Sequence, residues 1–557
     1  MAMYYYASKL NEASCSNSNC PGRVPPAPTE PAPVPPPAPE QAPILADPAL
    51  LRAGHGLSFY DNDDYYSMVR GNKFMSESAC QHIIMNGGIN FVTSQKVDAP
   101  QVLQISSKLT LPTLPYLNAA TNRPDIEYRE GQIMTGTLEA LVDLMRPGAS
   151  KSFKFAFLLC SRLFMKPNEL LSKLCKKYFK NYDRGNVGME LLCNEKDDMV
   201  ALVALFSEWT IMFPYDFRDE RVMTLVRVIS ERCSAEHMFE VSVVMSTTLE
   251  KLLDKLTALE HYEETLTDVP QMSCVEHLAQ DDILSLNLSP VALATQLTTV
   301  EHYRLSFVGP EEFVQTFAPH SSSSASAASA SLHHGETKST RNLEAYADWF
   351  NRLSYLVASD IVKSSKIKYR ARVIEQWVMT ARECFNLGNF NSLMAIISAL
   401  NMVPISRLKK TWARTSTVCG QQLRQLELCI VPGGNHARYR SALAAAPTET
   451  VVPLLSVTCR DLHFANQGTP TMFPGNRANF EKWMVLASYV DNHLARRQLT
   501  AAGPPLGPIA PHNKFVWRFL NDRPTLTEIA LELTSFEREP PVDNLEKERL
   551  KRLRSAS

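Results

Sequence analysis

From about position 135 to the C-terminus, apolar side chains recur three, four and seven positions apart, and no apolar-polar alternation competes with them. This regularity confines the chain to helices packed on helices. Leu138, Leu141 and Met145 share one helical side before a stop at Pro147-Gly148, and Pro167 opens a helix carrying Leu170, Leu171, Leu174 and Tyr178. Residues 199–212 read as a buried helix ending at Pro214, and stripes over 222–229 and 239–256 complete one all-helical unit spanning 130–265. A second helical region opens at 290–298 and continues strongly over 343–408, interrupted at 386–391 and stopped by Pro404. Helices are expected at 421–428, 437–445 and 480–497, with 451–463 extended or helical. The end is a basic helix whose Lys547, Arg549, Lys551, Arg552 and Arg554 read as a solvated face, with weak peripheral membrane association as the sharper reading.

Residues 1–129 are of another kind. Eleven prolines fall within residues 21–43, and the flanks are rich in Ser, Asn and Asp. Such a segment buries too little apolar surface to offset its chain entropy, so a disordered Pro-rich N-terminus is expected. Pro25-Pro26-Ala27-Pro28 and Pro33-Val34-Pro35-Pro36 suit an SH3 or WW groove. A plain linker is favoured, because no Arg or Lys stands at the spacing of a full SH3 ligand. Within the second region, 321–331 is almost wholly Ser and Ala, part of a surface insert at 319–340. His333-His334 comes after it with no nearby cysteine or carboxylate cluster, so no metal site is expected.

Charge and motifs narrow the function. The chain has 557 residues with 57 Lys+Arg against 58 Asp+Glu, and a formal net charge of -1 lacks the basic excess of a dedicated nucleic-acid binder. Its longest apolar run, 199–206, falls far short of the ~20 residues a bilayer span needs, and the first residues lack the pattern of a signal peptide. A cytoplasmic protein is expected. Twelve cysteines without a CxxC pair fit reduced thiols. Phosphate-cradling Gly loops, HExxH, GxSxG and spaced calcium-loop carboxylates are all absent from the sequence. His436 and His463 remain as titratable candidates; taken alone, each reads more readily as a surface or satisfied core histidine than as an acid or base.

Specific residues carry the reading further. The segment 389–401, Asn-Phe-Asn-Ser-Leu-Met-Ala-Ile-Ile-Ser-Ala-Leu-Asn, then Ser406-Arg407-Leu408-Lys409-Lys410-Thr411-Trp412, resembles the most recognisable block of the RasGEF (CDC25-homology) catalytic domain. Upstream, Leu288-Ser289-Pro290 through Gln296-Leu297-Thr298 and Glu301 is similar to the family's first block. Downstream, Val452-Pro453-Leu454-Leu455 through Asp461-Leu462 and Gly468 resembles its third, and Asn479-Phe480-Glu481-Lys482 the motif after it. The preceding unit, with Gly136-Thr137-Leu138-Glu139-Ala140-Leu141 and Trp209 through Asp216-Phe217, resembles the N-terminal Ras exchanger motif domain.

The resemblance implies an all-α fold: an exchanger motif domain at 130–265 packed on a catalytic domain at 285–540, then a basic tail at 541–557. It implies a guanine-nucleotide exchange factor for a Ras-family small GTPase, with Rap2-like GTPases favoured. Such a protein performs no covalent chemistry and needs no cofactor, since metal and nucleotide belong to the GTPase. Family members insert a helical hairpin beside switch I. By position, Thr298, Asn401 and Ser406 fall where the family meets the GTPase, as do Asn435 and His436 less securely. Asn389, Asn391, Arg407, Trp412, Asn479 and Phe480 fall at supporting positions. At the hairpin, His463 and Gln467 stand where members commonly carry an apolar side chain and a Glu before a Gly. Gln467 can hydrogen-bond but cannot pair with a GTPase lysine as a carboxylate would, so reduced or more selective activity is expected. The alternatives are an exchange-deficient GTPase-binding scaffold and an SH3-directed adaptor.

Overall fold

The computed structural model describes residues 125–178, 193–235, 239–267, 282–317, 340–446, 451–494 and 513–556, all within one unit of the chain. The Pro-rich segment, the Ser/Ala insert and His333-His334 lie outside them.

The described chain is helical throughout apart from one small sheet. It opens with a hairpin, β1 (Ile126–Arg129) and β2 (Gln132–Thr137), where a helix was expected from about 135. The reason is distant. β2 pairs antiparallel with β4 (Arg477–Asn479), Thr135 opposite Asn479, and β4 with β3 (Met472–Phe473), giving the order β1-β2-β4-β3. Residues 130–265 are therefore not all-helical. Thr137 ends the strand and starts the helix, its hydroxyl accepting from Ala140 N at 3.3 Å as an N-cap.

Behind the hairpin stand α1 (Leu138–Leu144), α2 (Lys151–Ser161), α3 (Pro167–Tyr178), α4 (Cys193–Met212), α5 (Glu220–Ala235) and α6 (Phe239–Thr267). A charged knot ties this layer together. Arg162 grips Asp216 through two bonds of 2.8 and 3.2 Å, and Trp209 Nε1 donates to the same carboxylate at 2.7 Å. The stretch from Trp209 to Asp216 thus closes a 3-10 turn (Pro214–Arg218) onto α2. At the far end of α6, Glu263 accepts from Arg218 and from Asn342 Nδ2, joining this layer to the helix that carries Asn342.

The second layer comprises α7 (Pro290–Leu305), α8 (Pro310–Gln315), α9 (Arg341–Lys363), α10 (Ile367–Leu387), α11 (Phe390–Asn401), α12 (Val403–Ser406), α13 (Lys409–Trp412), α14 (Thr417–Ile430) and α15 (Gly433–Ala445). After these come α16 (Leu455–Gly468), α17 (Phe480–Leu494), α18 (Lys514–Asn521), α19 (Glu528–Arg538) and α20 (Asn544–Ala556). α11 is buried from Phe390 to Leu400, its circumference mostly apolar and its Asn391 and Ser392 satisfied by buried Glu301. The interruption at 386–391 is a change of helix: Gly388 takes the left-handed conformation at φ 74°, ending α10, and Asn389 Oδ1 accepts from Ser392 N to start α11. A Cβ at Gly388 would stand 2.7 Å from the Val451 side chain, so that position needs glycine twice over. α20 is not merely solvated, since Arg549 pairs with Glu532.

Candidate functional site: an exposed hairpin edge on a buried base

The 451–463 segment resolves into a bridge and a helix. Val452 lies beside Asn389 as an isolated parallel bridge, then α16 runs past His463 to Gly468. Tyr439 Oη accepts from Leu454 N at 2.9 Å and fixes where the helix begins. Its other end is closed by Lys482. Buried at 5% exposure, Lys482 donates from Nζ to Asn466 O at 2.6 Å, Thr469 O at 2.8 Å and Thr471 Oγ1 at 2.7 Å. A cation there satisfies orphan carbonyls and offsets the negative end of the helix dipole. Asn479 completes the turn, its Oδ1 accepting from Lys482 N and its Nδ2 donating to Pro470 O.

α17 returns along α16 and is held by the first layer. Phe480 and Trp483 are fully buried, their rings 5.0 Å from Phe153 and 6.1 Å from Phe157 respectively. The Phe164 ring stacks parallel on Trp483 at 6.1 Å, and Arg477 reaches Thr135 Oγ1 at 3.0 Å. Within the hairpin, Thr458 of α16 shares a 2.9 Å bond with His493 Nδ1 of α17. Burial pushes the His493 imidazole down to about 4, keeping it neutral there at physiological pH.

The outward side of α16 differs. His463, Phe464, Gln467 and Gly468 are exposed, Phe464 at 60%. Sequence reasoning passed over Phe464. The signal was present, because Phe464 stands half a turn away from the buried Leu455 and Leu462 and is thus an apolar side chain on the polar side of its helix.

Charged residues of α16 also hold the Asn435–His436 turn. Gly434, Asn435 and His436 are three consecutive left-handed residues with φ of 59°, 56° and 57°, a conformation costly for the two with side chains. Charge holds it. Asp461 accepts from Arg440 at 2.6 Å and Arg460 at 3.2 Å, and the same arginines donate to Asn435 O at 2.9 Å and Asn435 Oδ1 at 2.5 Å. Arg460 and Asp461 both belong to α16, so this cluster couples the turn to the hairpin. Asn435 is exposed. His436 is buried at 4%, and neither ring nitrogen has a hydrogen-bond partner among the described residues. Burial, aided by the Arg460 and Arg440 guanidiniums, pushes its imidazole down to about 4.

The remaining positions fall elsewhere. Thr298, expected at the partner surface, is only 2% exposed: its hydroxyl donates to Ala294 O and accepts from Asn389 Nδ2 at 3.1 Å, tying α7 to the start of α11. Asn391 and Ser392 converge on the fully buried Glu301, at 3.1 and 2.6 Å. Burial raises the pKa of Glu301 against these donors. Asn401 is half-buried and donates to Glu427 at 2.9 Å. Ser406 is half-buried at the end of α12. Arg407, next to it, donates to Ser535 O, Glu539 O and Glu546 and lies 4.1 Å over the Phe536 ring. Trp412 Nε1 donates to Ile405 O at 3.0 Å. The structure thus sets His463, Phe464 and Gln467 on one exposed stretch of α16, ties Asn435 to that helix through Arg460 and Asp461, and separately joins Thr298 to Asn389.

Comparison with known sequences agrees with this architecture. The RasGEF domain pattern matches residues 292–484 and the RasGEF N-terminal motif matches residues 132–230. The chain is 37% identical over 463 residues to the Ras-GEF domain-containing family member 1B of Mus musculus, covering 79% of this chain and 95% of that protein. It is 36% identical over 513 residues to member 1B-A of Danio rerio, covering 84% and 93%. It is 35% identical over 482 residues to member 1C of Homo sapiens, covering 82% and 99%. Two matched segments and near-complete coverage of each relative place the chain in the Ras-GEF domain-containing family.

Proposed function

We propose that the protein is a guanine-nucleotide exchange factor for a Ras-family GTPase, Rap2-like GTPases favoured. The observation that carries this reading is the hairpin: an exposed edge at 463–468 on an arm whose base and partner arm are buried and charge-capped. A rigid wedge of this kind stabilises a GTPase whose nucleotide site has been pried open. Release accelerates only if the nucleotide-free GTPase is bound more tightly than the loaded one. We assign GTPase contacts to His463, Phe464, Gln467 and Asn435, with Asn401 and Ser406 at a further strip. Asn389, Asn391, Arg407, Trp412, Asn479 and Phe480 are support. The exchanger motif domain is assigned to 130–265 and the catalytic domain to 285–540. No helix among the described residues is long and apolar enough to cross a membrane, and action in the cytoplasm is part of the proposal.

The test is release of fluorescent GDP from Rap2, Rap1, H-Ras and Ral by the full chain. Acceleration on one or more supports the reading, and none on any overturns it. Gln467 favours one second reading, a GTPase-binding scaffold with lost exchange activity. Tight binding to nucleotide-free GTPase without release, together with a large gain from Gln467→Glu, would select it.

A further inference from the structure

The described chain ends in α20, and two ion pairs fix which side of it faces the body. Glu546 accepts from Arg407 at 3.1 Å, and Arg549 donates to Glu532 at 2.9 Å. Leu550 and Leu553, half-buried, lie on the same side. At 3.6 residues per turn this rotation turns Lys547, Lys551 and Arg554 out along one flank and Arg552 along the other. All four are exposed, and only Asp543 and Glu548 oppose them among the exposed residues of 542–555. Two bare apolar side chains stand at the head of the helix, Val542 at 82% exposure and Leu545 at 72%.

We propose that α20 is a docking surface for anionic phospholipid bilayers. Charge complementarity supplies the attraction, because exposed lysines and arginines are drawn to an acidic leaflet within a Debye length of its surface. Val542 and Leu545 then enter the headgroup boundary, where apolar side chains are stabilised. Single-stranded nucleic acid fits less well, since residues 541–557 contain no aromatic ring on which a base could stack. The two inward ion pairs and the half-buried leucines together leave the cations facing outward. Bilayer docking by α20 is independent of the exchange activity.

Flotation of the full chain with vesicles tests it, using phosphatidylcholine alone against a two-to-one mixture of phosphatidylcholine and phosphatidylserine. The chain is expected to float with the mixed vesicles only, and to leave them as salt is raised. With each cation contributing about fivefold, the triple variant K547Q/K551Q/R552Q should bind roughly a hundredfold more weakly at an unchanged melting temperature. V542S/L545S should weaken binding less and leave its salt dependence intact. Equal flotation with both vesicles, no flotation with either, or undiminished binding by the triple variant overturns the proposal. Binding to polyuridylate in place of the mixed vesicles would assign the surface to nucleic acid instead.

Discussion

The two arms of the hairpin come from adjacent stretches of sequence and have opposite surroundings. α17 buries Phe480, Trp483, Leu486 and Val490 to 1% exposure or less, while α16 shows the solvent His463, Phe464 and Gln467. One arm uses its apolar side chains for anchorage, and the other leaves one of them uncovered. Burial therefore separates the residues that secure the hairpin from those proposed to meet a GTPase, with Lys482 and the Thr458–His493 bond connecting the two helices.

The strongest way to break this contrast is at the anchored arm. Trp483→Ala removes a fully buried indole lying against Phe157 and Phe164, and such cavities cost about 3–5 kcal/mol. Denaturant unfolding should show a loss of that size. A loss below about 1 kcal/mol would mean that the first layer does not hold α17 through this side chain.

Acid should loosen the join between the arms. His493 has a folded-state value of about 4 against about 6.5 unfolded, so between those values the unfolded chain binds the extra proton. Its contribution is present above pH ~6.5 and is lost as pH falls towards 4, by about 1.4 kcal/mol per unit. His436 acts in the same direction. Glu312, pushed up to about 8 by burial, acts in the opposite direction from pH 8 down to its ordinary value. The total slope therefore mixes signs, and the comparison of wild type with His493→Leu isolates the histidine. The stability gap between the two should narrow on acidification from neutral pH, and a constant gap would refute the assignment.

At the exposed arm the expected effect is kinetic. Phe464→Ala removes a ring that is mostly in solvent and whose ring partner among the described residues is its neighbour His463, so stability should hold within about 0.5 kcal/mol. Nucleotide release should slow by about tenfold, equivalent to about 1.4 kcal/mol of lost differential binding. A stability loss like that of Trp483→Ala, with release unaffected, would erase the distinction between the arms.

How much of the fold and of this edge was legible depends on the range of each interaction. Helical spacing, proline starts and the Gly388–Asn389 junction are local, and the periodicity exposed them. The β2–β4 pairing was not, because Thr135 and Arg477 are 342 positions apart and two short strands carry little pattern of their own. Block resemblance located α7, α11 and α16 but could not say which side of a helix faces outward. Thr298 shows the consequence: expected at the surface, it is buried against Asn389. Lys482 stands in a recognisable motif, yet its role as a helix cap depends on Asn466 and Thr469 folding back to it.

The smallest effect, and the finest test of the contrast, lies at Asp461. It belongs to the exposed arm's helix but faces Arg440 and Arg460, which are themselves 37% and 21% exposed. Solvent screens the more exposed Arg440, and the amide keeps an oxygen that can accept from Arg460, so Asp461→Asn should cost only about 1 kcal/mol of stability. Its effect on exchange should exceed that on folding, because the same arginines hold the left-handed Asn435 turn against α16. Released, the turn is free to relax from a conformation that costs of order 1 kcal/mol or more per residue, shifting Asn435 relative to His463. A few-fold slower release with near-normal unfolding would show that the partner-facing edge is positioned by charge where the buried arm is positioned by packing. Equal losses in both measurements would mean that the cluster only stabilises the fold.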